Sequence, residues 1–158
     1  MKSKLSPPLK WALYLSPLLL FGVAAKVLNT DPPTNTSQTS PDTPDPALRS
    51  RVVRLPWTEA VRLCEQVLGE QRTYGRAWKH AQTSVSGTAP GAQLTEVLRA
   101  QVPVFVFTDD FEVILRDEGN GQIRIDARSA ARLGKGDFGE NRRHVLQFLA
   151  ALDEKLKR

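Results

Sequence analysis

The chain has 158 residues, 41% of them hydrophobic, a formal net charge of +5 and a single cysteine. That length holds one ordinary domain, and a lone Cys64 excludes an internal disulfide framework. Residues 1–50 carry five basic and three acidic groups, and residues 51–158 carry seventeen and fourteen; charge so interspersed leaves no basic stripe of the sort that nucleic-acid binding requires.

Lys2, Lys4 and Lys10 precede an uncharged run from Trp11 to Ala25, which Lys26 closes. As a helix the run reaches about 22 Å, short of the roughly 30 Å hydrocarbon core of a bilayer. Its length and its Val23-Ala24-Ala25 ending fit a cleaved signal peptide. Lys10 and Lys26 as snorkelling ends, with Val27 and Leu28 extending the span, fit a retained anchor. Both readings leave the basic end inside and export the remainder. Residues 1–28 are thus expected to be a signal peptide or membrane anchor, meeting the membrane through residues 11–28. The product is expected to be anchored on the extracytoplasmic side, or periplasmic or lumenal after cleavage.

Residues 29–50, NTDPPTNTSQTSPDTPDPALRS, are expected to form a disordered Pro/Thr/Ser-rich linker, because so few large apolar groups cannot offset the entropy of ordering. A stalk of this composition favours a retained anchor.

Residues 51–158 read as one α+β domain. A helix is predicted from Pro56 to about Gly69, with Ala60, Leu63, Cys64, Val67 and Leu68 on one apolar stripe. Cys64 on that stripe reads as a small buried hydrophobe, not a reactive thiol. Residues 73–82 suggest a short strand, Ser84 to Gly91 a loop, and Gln93–Val102 a strand, with a break or edge position at Pro103. The clearest hairpin pairs Phe111–Arg116 with Gln122–Arg128 about a turn over residues 118–121. Alternation places Phe111, Val113, Leu115, Ile123, Ile125 and Ala127 on one face. It places Asp110, Glu112, Arg124, Asp126 and Arg128 on the other. Asp137 and Glu140 read as the N-cap and N3 of a capping box, opening a helix with Asn141, Val145, Phe148, Leu149, Leu152 and Leu156 on its inner stripe. The expected fold is a two-layer sandwich: a small antiparallel sheet of three to five strands with two amphipathic helices on one face.

The distinctive chemistry lies in R-I-D-A-R-S-A-A-R-L-G-K-G-D-F-G-E-N-R-R, residues 124–143, preceded by Phe107-Thr108-Asp109-Asp110-Phe111-Glu112. These two stretches resemble the domain of unknown function 1499 family, whose members carry F-x-D-D-x-E followed by R-S-A-S-R-x-G-x-S-D-x-G-x-N-R. Ala131 stands where that pattern has a second Ser, and Gly136 where it has a Ser before Asp137. A function shared with the family therefore cannot depend on a hydroxyl at either position. The resemblance implies a common fold and supplies no activity.

Two readings of the motif follow. In one, Arg128, Arg132 and Arg142 converge on the N-terminus of the last helix as an anion site, with Asp110, Ser129, Asp137 and Asn141 beside them. In the other, the charges form an intramolecular network, with Asp110 and Glu112 paired to Arg128 across the hairpin and Asp137 paired to neighbouring arginines. Enzymatic signals are weaker. Asp109 and Asp110 should point to opposite faces, and Ser129 has no evident base partner. His80 and His144 lack metal-ligand spacing, so neither a metal nor a cofactor is expected. The sequence thus points to a non-catalytic, membrane-associated extracytoplasmic module that binds an anionic ligand or a membrane protein. The alternative is an enzyme acting on a small anionic or lipid-derived substrate through the Asp110/Arg128/Arg132 face.

Overall fold

The computed structural model describes residues 35–87, 93–134 and 136–157, which lie within one compact unit. The apolar run Trp11–Ala25, the start of the spacer and Lys135 lie outside the described residues. Among those described, no helix is long and apolar enough to cross a membrane.

Three long strands form an antiparallel meander: β7 (Thr95–Val104), β8 (Phe107–Gly119) and β9 (Gln122–Ala131). Alternation builds it as expected, for Leu98 faces Val113, Val113 faces Ala127 and Leu115 faces Ile125 on one buried side. The β8–β9 turn places Asn120 and Gly121 at positive φ, the conformation that makes Asn-Gly a hairpin signal. Across this face lie α1 (Trp57–Glu70) and α2 (Glu140–Leu156). Ala60, Cys64, Val67 and Leu68 of α1 and Val145, Phe148, Leu149 and Leu152 of α2 complete the core. Cys64 is fully buried there, and burial pushes its thiol up to about 12.

The sheet is larger than the expected three to five strands: it has seven, and strand dominates the fold. The additional strands are short edge pieces without readable periodicity. Along β9 run β1 (Thr36–Gln38) and β2 (Arg51–Val53); along β7 run β5 (Lys79–His80) and β6 (Ser84–Ser86). A separate two-stranded ribbon joins β3 (Arg72–Thr73) to β4 (Arg76–Ala77), so the single strand expected over residues 73–82 is split among three.

β1 comes from the segment that composition assigns to a disordered linker. Residues 35–50 are instead built into the domain, and Asp126 is the reason. Its carboxylate accepts from Thr39 Oγ1 (3.0 Å), Ser50 Oγ, Arg116 Nη1 (2.5 Å) and Arg124 Nε (3.1 Å). Thr39 also exchanges bonds with Ala127, its amide donating to the carbonyl and its hydroxyl accepting from the amide, each at 2.9 Å. Polar residues thus order this segment by hydrogen bonding to a buried charge, a route that hydrophobicity does not register.

Pro103 does not end β7. It lies opposite Thr108, one pair from the Val104–Phe107 closing pair of a two-residue turn. At such a non-hydrogen-bonded position an N–H would point away from β8, and β5 has already stopped pairing at Gln101. The expected capping box also differs. Helix α2 begins at Glu140, after Phe138 and Gly139 in left-handed conformations. Asp137 still caps it, accepting from the amides of Asn141 (2.7 Å) and Gly139 (3.1 Å). The Glu140 side chain does not return to Asp137; it turns to Tyr74, Arg143 and His144.

Candidate functional site

The period of two in a strand divides the R-I-D-A-R-S run. Arg124, Asp126 and Arg128 face outward, while Ser129 packs inward against α2. The seven residues expected to form a site therefore separate. Arg132 holds Asp110 through two nitrogens, at 2.5 and 3.0 Å, and both side chains are about half exposed. Arg128 meets Glu112 at 3.4 Å, and Arg99 meets the same carboxylate at 3.0 Å. Arg142 reaches Asp45 of the former linker at 2.7 Å. Three guanidinium groups on three separate carboxylates do not converge on an anion. Asp110 is paired to Arg132 where Arg128 was expected, Glu112 meets Arg128 as expected, and Asp137, expected beside arginines, caps α2.

Ser129, Asp137 and Asn141 do come together, and His144 joins them. Asn141 stands one helical turn before His144, and both are fully buried, as is Ser129. The hydrogen-bond direction follows from donor and acceptor inventory. Asn141 Nδ2 donates to the Asn35 carbonyl (2.9 Å), which can only accept. Its Oδ1 therefore faces Ser129, whose hydroxyl donates to it at 2.6 Å. The Ser129 oxygen is left to accept from His144 Nδ1–H at 3.2 Å. So Ser129 has an imidazole neighbour, which the sequence did not reveal, but the ring serves it as donor. A nucleophilic serine needs its hydroxyl hydrogen directed to a base and its oxygen accessible to substrate, and here neither condition is met.

Two carboxylates flank the imidazole. Asp109 lies 3.9 Å from Nδ1, and Glu140 lies 3.5 Å from Nε2, which is buried without a hydrogen-bond partner among the described residues. Burial raises the Asp109 carboxyl above its ordinary value against the pull of His144, with the charges of Asp137, Glu140 and Asp110 adding to the rise. For Glu140, burial also pushes upward, but the nearby His144 ring, the Tyr74 hydroxyl that donates to it and the charge of Arg143 outweigh it and hold the carboxyl low. Asp109 is buried and Asp110 half exposed, so adjacent acids point to opposite faces, as alternation required. Trp78 stands edge-on to the His144 ring at 5.8 Å. No three His, Cys, Asp or Glu side chains among the described residues are disposed to hold a metal.

Above this polar knot the surface is apolar. Among exposed large hydrophobic side chains, Tyr74, Phe105, Val106, Leu133 and Phe138 come from turns and loops and Phe107 from the first position of β8, where the β7–β8 turn, the end of β9 and the start of α2 lie together. Asp109 pairs with Ala131, which brings the start of β8 beside the end of β9. Tyr74 stacks on Phe105 with ring centroids 4.2 Å apart, and its hydroxyl donates to Glu140 at 2.7 Å. Val106, at the tip of the β7–β8 turn, is 88% exposed. Phe105 holds φ of +48°, in a two-residue turn where such a position ordinarily takes glycine.

The sequence carried one usable signal for His144, since it falls at i+3 from Asn141 on the inner stripe. Asn35 had none, because it sat in a segment read as linker. A family model described as "Protein of unknown function (DUF1499)" matches residues 26–152. No curated protein and no solved structure matches the chain.

Proposed function

The chain belongs to the DUF1499 family of proteins of unknown function, and from that premise we propose that it is a non-catalytic, membrane-associated extracytoplasmic module that works by contact. Its contact surface is the apolar rim of Tyr74, Phe105, Val106, Phe107, Leu133 and Phe138. The observation that carries this reading is the exposure of three consecutive large apolar side chains, Phe105 to Phe107, at one turn. A turn normally presents Gly, Asn, Asp or Ser, and an apolar patch held open to water in this way marks an interaction site. The position of Phe105 in the left-handed region adds a cost of about 1–3 kcal/mol, which a polar or glycine turn would avoid. Export and membrane association rest on the sequence, on Lys10, the run Trp11–Ala25 and Lys26.

An anionic ligand at the arginine motif has less support, because Arg128, Arg132 and Arg142 each face a carboxylate of the same chain. The same pairing weakens the enzymatic alternative through Asp110, Arg128 and Arg132, where no acid or base is poised for proton transfer. The test is a photo-crosslinking residue at position 106 of the full chain in its native host, with position 85 as the comparison. Val85 is also exposed but lies in β6, beside the opposite end of β7. Adducts from position 106 and none from 85 are expected. No adduct from 106 would remove the rim as a contact surface.

A further inference from the structure

Resting on the reading of the rim as the contact surface, we propose that its partner is the bilayer itself: Phe105, Val106 and Phe107 dip into the lipid interface, with Tyr74, Leu133 and Phe138 around them. Three observations point to lipid and away from a protein groove.

The first is where the chain enters the domain. Asn35 donates from its side chain to the Gly134 carbonyl at 3.3 Å, and its own carbonyl accepts from Ala131 N–H and Asn141 Nδ2. It therefore sits at the rim end, close to Leu133 and to the start of α2. Eight residues separate it from Lys26, which closes the apolar run. A chain of that length spans at most about 30 Å even when fully extended. An anchor ending near Lys26 thus keeps Asn35, and with it this end of the domain, within about 30 Å of the membrane.

The second is the form of the surface. Val106 occupies the extremity of a tight hairpin, so the most exposed apolar group is on a projection. A projecting tip of aromatic and aliphatic side chains fits a deformable, non-specific apolar medium. Arg76, which donates to the Phe105 carbonyl at 2.5 Å, holds that tip in shape.

The third is charge. Arg143 lies over the Tyr74 ring, 4.9 Å from its centroid, so an amphipathic aromatic and a cation stand together as they do at membrane interfaces. Arg132 and Arg143 are offset by Asp110 and Glu140, while Arg76 adds a cation beside the tip. Apolar area therefore supplies most of the attraction, and a zwitterionic bilayer tests it alone.

The experiment uses the full chain reconstituted in phosphatidylcholine vesicles, with an environment-sensitive fluorophore on Val106→Cys or, separately, on Val85→Cys. The native Cys64 is fully buried and escapes labelling. The expected result is a blue-shifted emission at position 106 that nitroxide-bearing lipids quench, with neither effect at position 85. Emission at 106 that stays aqueous, or equal quenching at both positions, overturns the lipid assignment. A blue shift at 106 that lipid nitroxides leave untouched also overturns it and indicates a second copy of the chain. If 106 stays aqueous in pure lipid but still gives crosslinks in native membranes, the partner is a protein and the contact reading stands. If both signals are absent, both readings fall.

Discussion

The two faces of β9 hold polar groups by different means. On the outer face charge answers charge: Arg116 and Arg124 on Asp126, Arg99 and Arg128 on Glu112, Arg132 on Asp110. On the inner face a chain of hydrogen bonds, from His144 to Ser129 to Asn141 to the Asn35 carbonyl, fixes four groups by donor and acceptor direction. Only Asp126 on the outer side combines charge with burial, since Thr39 and Ser50 cover it. Burial, more than the presence of charge, decides which contacts the fold depends on.

Asp126→Ala gives the largest expected effect. It leaves Arg116 and the two hydroxyls without this acceptor, while Arg124 keeps Glu118 at 2.8 Å, and losing several charge-assisted hydrogen bonds together costs about 3–5 kcal/mol. Denaturant unfolding measures the loss. Hydrogen exchange at the Thr39 amide reports whether residues 35–50 detach. A cost below about 1 kcal/mol with that amide still protected would show that the segment is held by something other than Asp126.

Next comes the inner relay. Asn141→Ala leaves the Ser129 hydroxyl hydrogen without its acceptor and takes one of two donors from the Asn35 carbonyl, which keeps the Ala131 amide; the expected cost is about 1–3 kcal/mol. The relay also makes a spectroscopic prediction that stability alone cannot test: nitrogen NMR of His144 should find Nδ1 protonated. A neutral ring protonated only at Nε2 would reverse the deduced direction and restore the imidazole as a base toward Ser129.

How far the sequence reaches follows from the same contrast. Strand alternation located the β8–β9 register, and helical periodicity the inner residues of both helices, because those positions are fixed by apolar burial. It also separated Asp109 from Asp110. What it could not supply was the edge of the sheet. Thr36–Gln38 has no apolar face to reveal a strand, and its partners lie far along the chain, with Asp126 accepting from Thr39 and Asn141 donating to Asn35. The sheet was therefore taken as smaller than its seven strands. The arginine motif left two readings open, because cations adjacent in sequence do not reveal which carboxylates from other strands and loops, such as Asp45 or Glu112, lie beside them. His144 was passed over for its lack of metal spacing, although its neighbours on the helix stripe placed it inside.

The two acids beside His144 sharpen the comparison through pH. The Asp109 carboxyl is raised from an ordinary value near 3.8, so its contribution to stability is present below that value and is lost as pH rises through the folded one. Asp109→Asn is accordingly expected to stabilise at neutral pH, by on the order of 0.5–1 kcal/mol. That gain should disappear in acid below the ordinary value. Glu140 is held below its ordinary value near 4.5. Its contribution is present above that value and is lost as pH falls through the folded one, so Glu140→Gln should cost stability at neutral pH and little in strong acid. Melting curves from pH 3 to 7, roughly the span over which carboxylates titrate, distinguish the two. Parallel pH profiles for both variants would mean that the acids share one environment.

Arg128→Ala should have the smallest effect, and for that reason it tests the outer face most directly. Its guanidinium lies 3.4 Å from Glu112, the longer of two contacts to that carboxylate, and its side chain is 38% exposed. Removing it leaves Glu112 with Arg99 at 3.0 Å, so no buried charge is stranded. Exposed pairs of this kind contribute about 0–1 kcal/mol, and salt screens them further. A loss within that range, reduced in 1 M salt (a Debye length of about 3 Å), is the expected outcome of thermal unfolding. A loss as large as that of Asn141→Ala would mean that the exposed pairs carry the fold after all, and the distinction between the faces would fail. Unchanged stability together with weakened phosphate binding would instead return Arg128 to an anion site, because a group spent only on Glu112 has no ligand to lose.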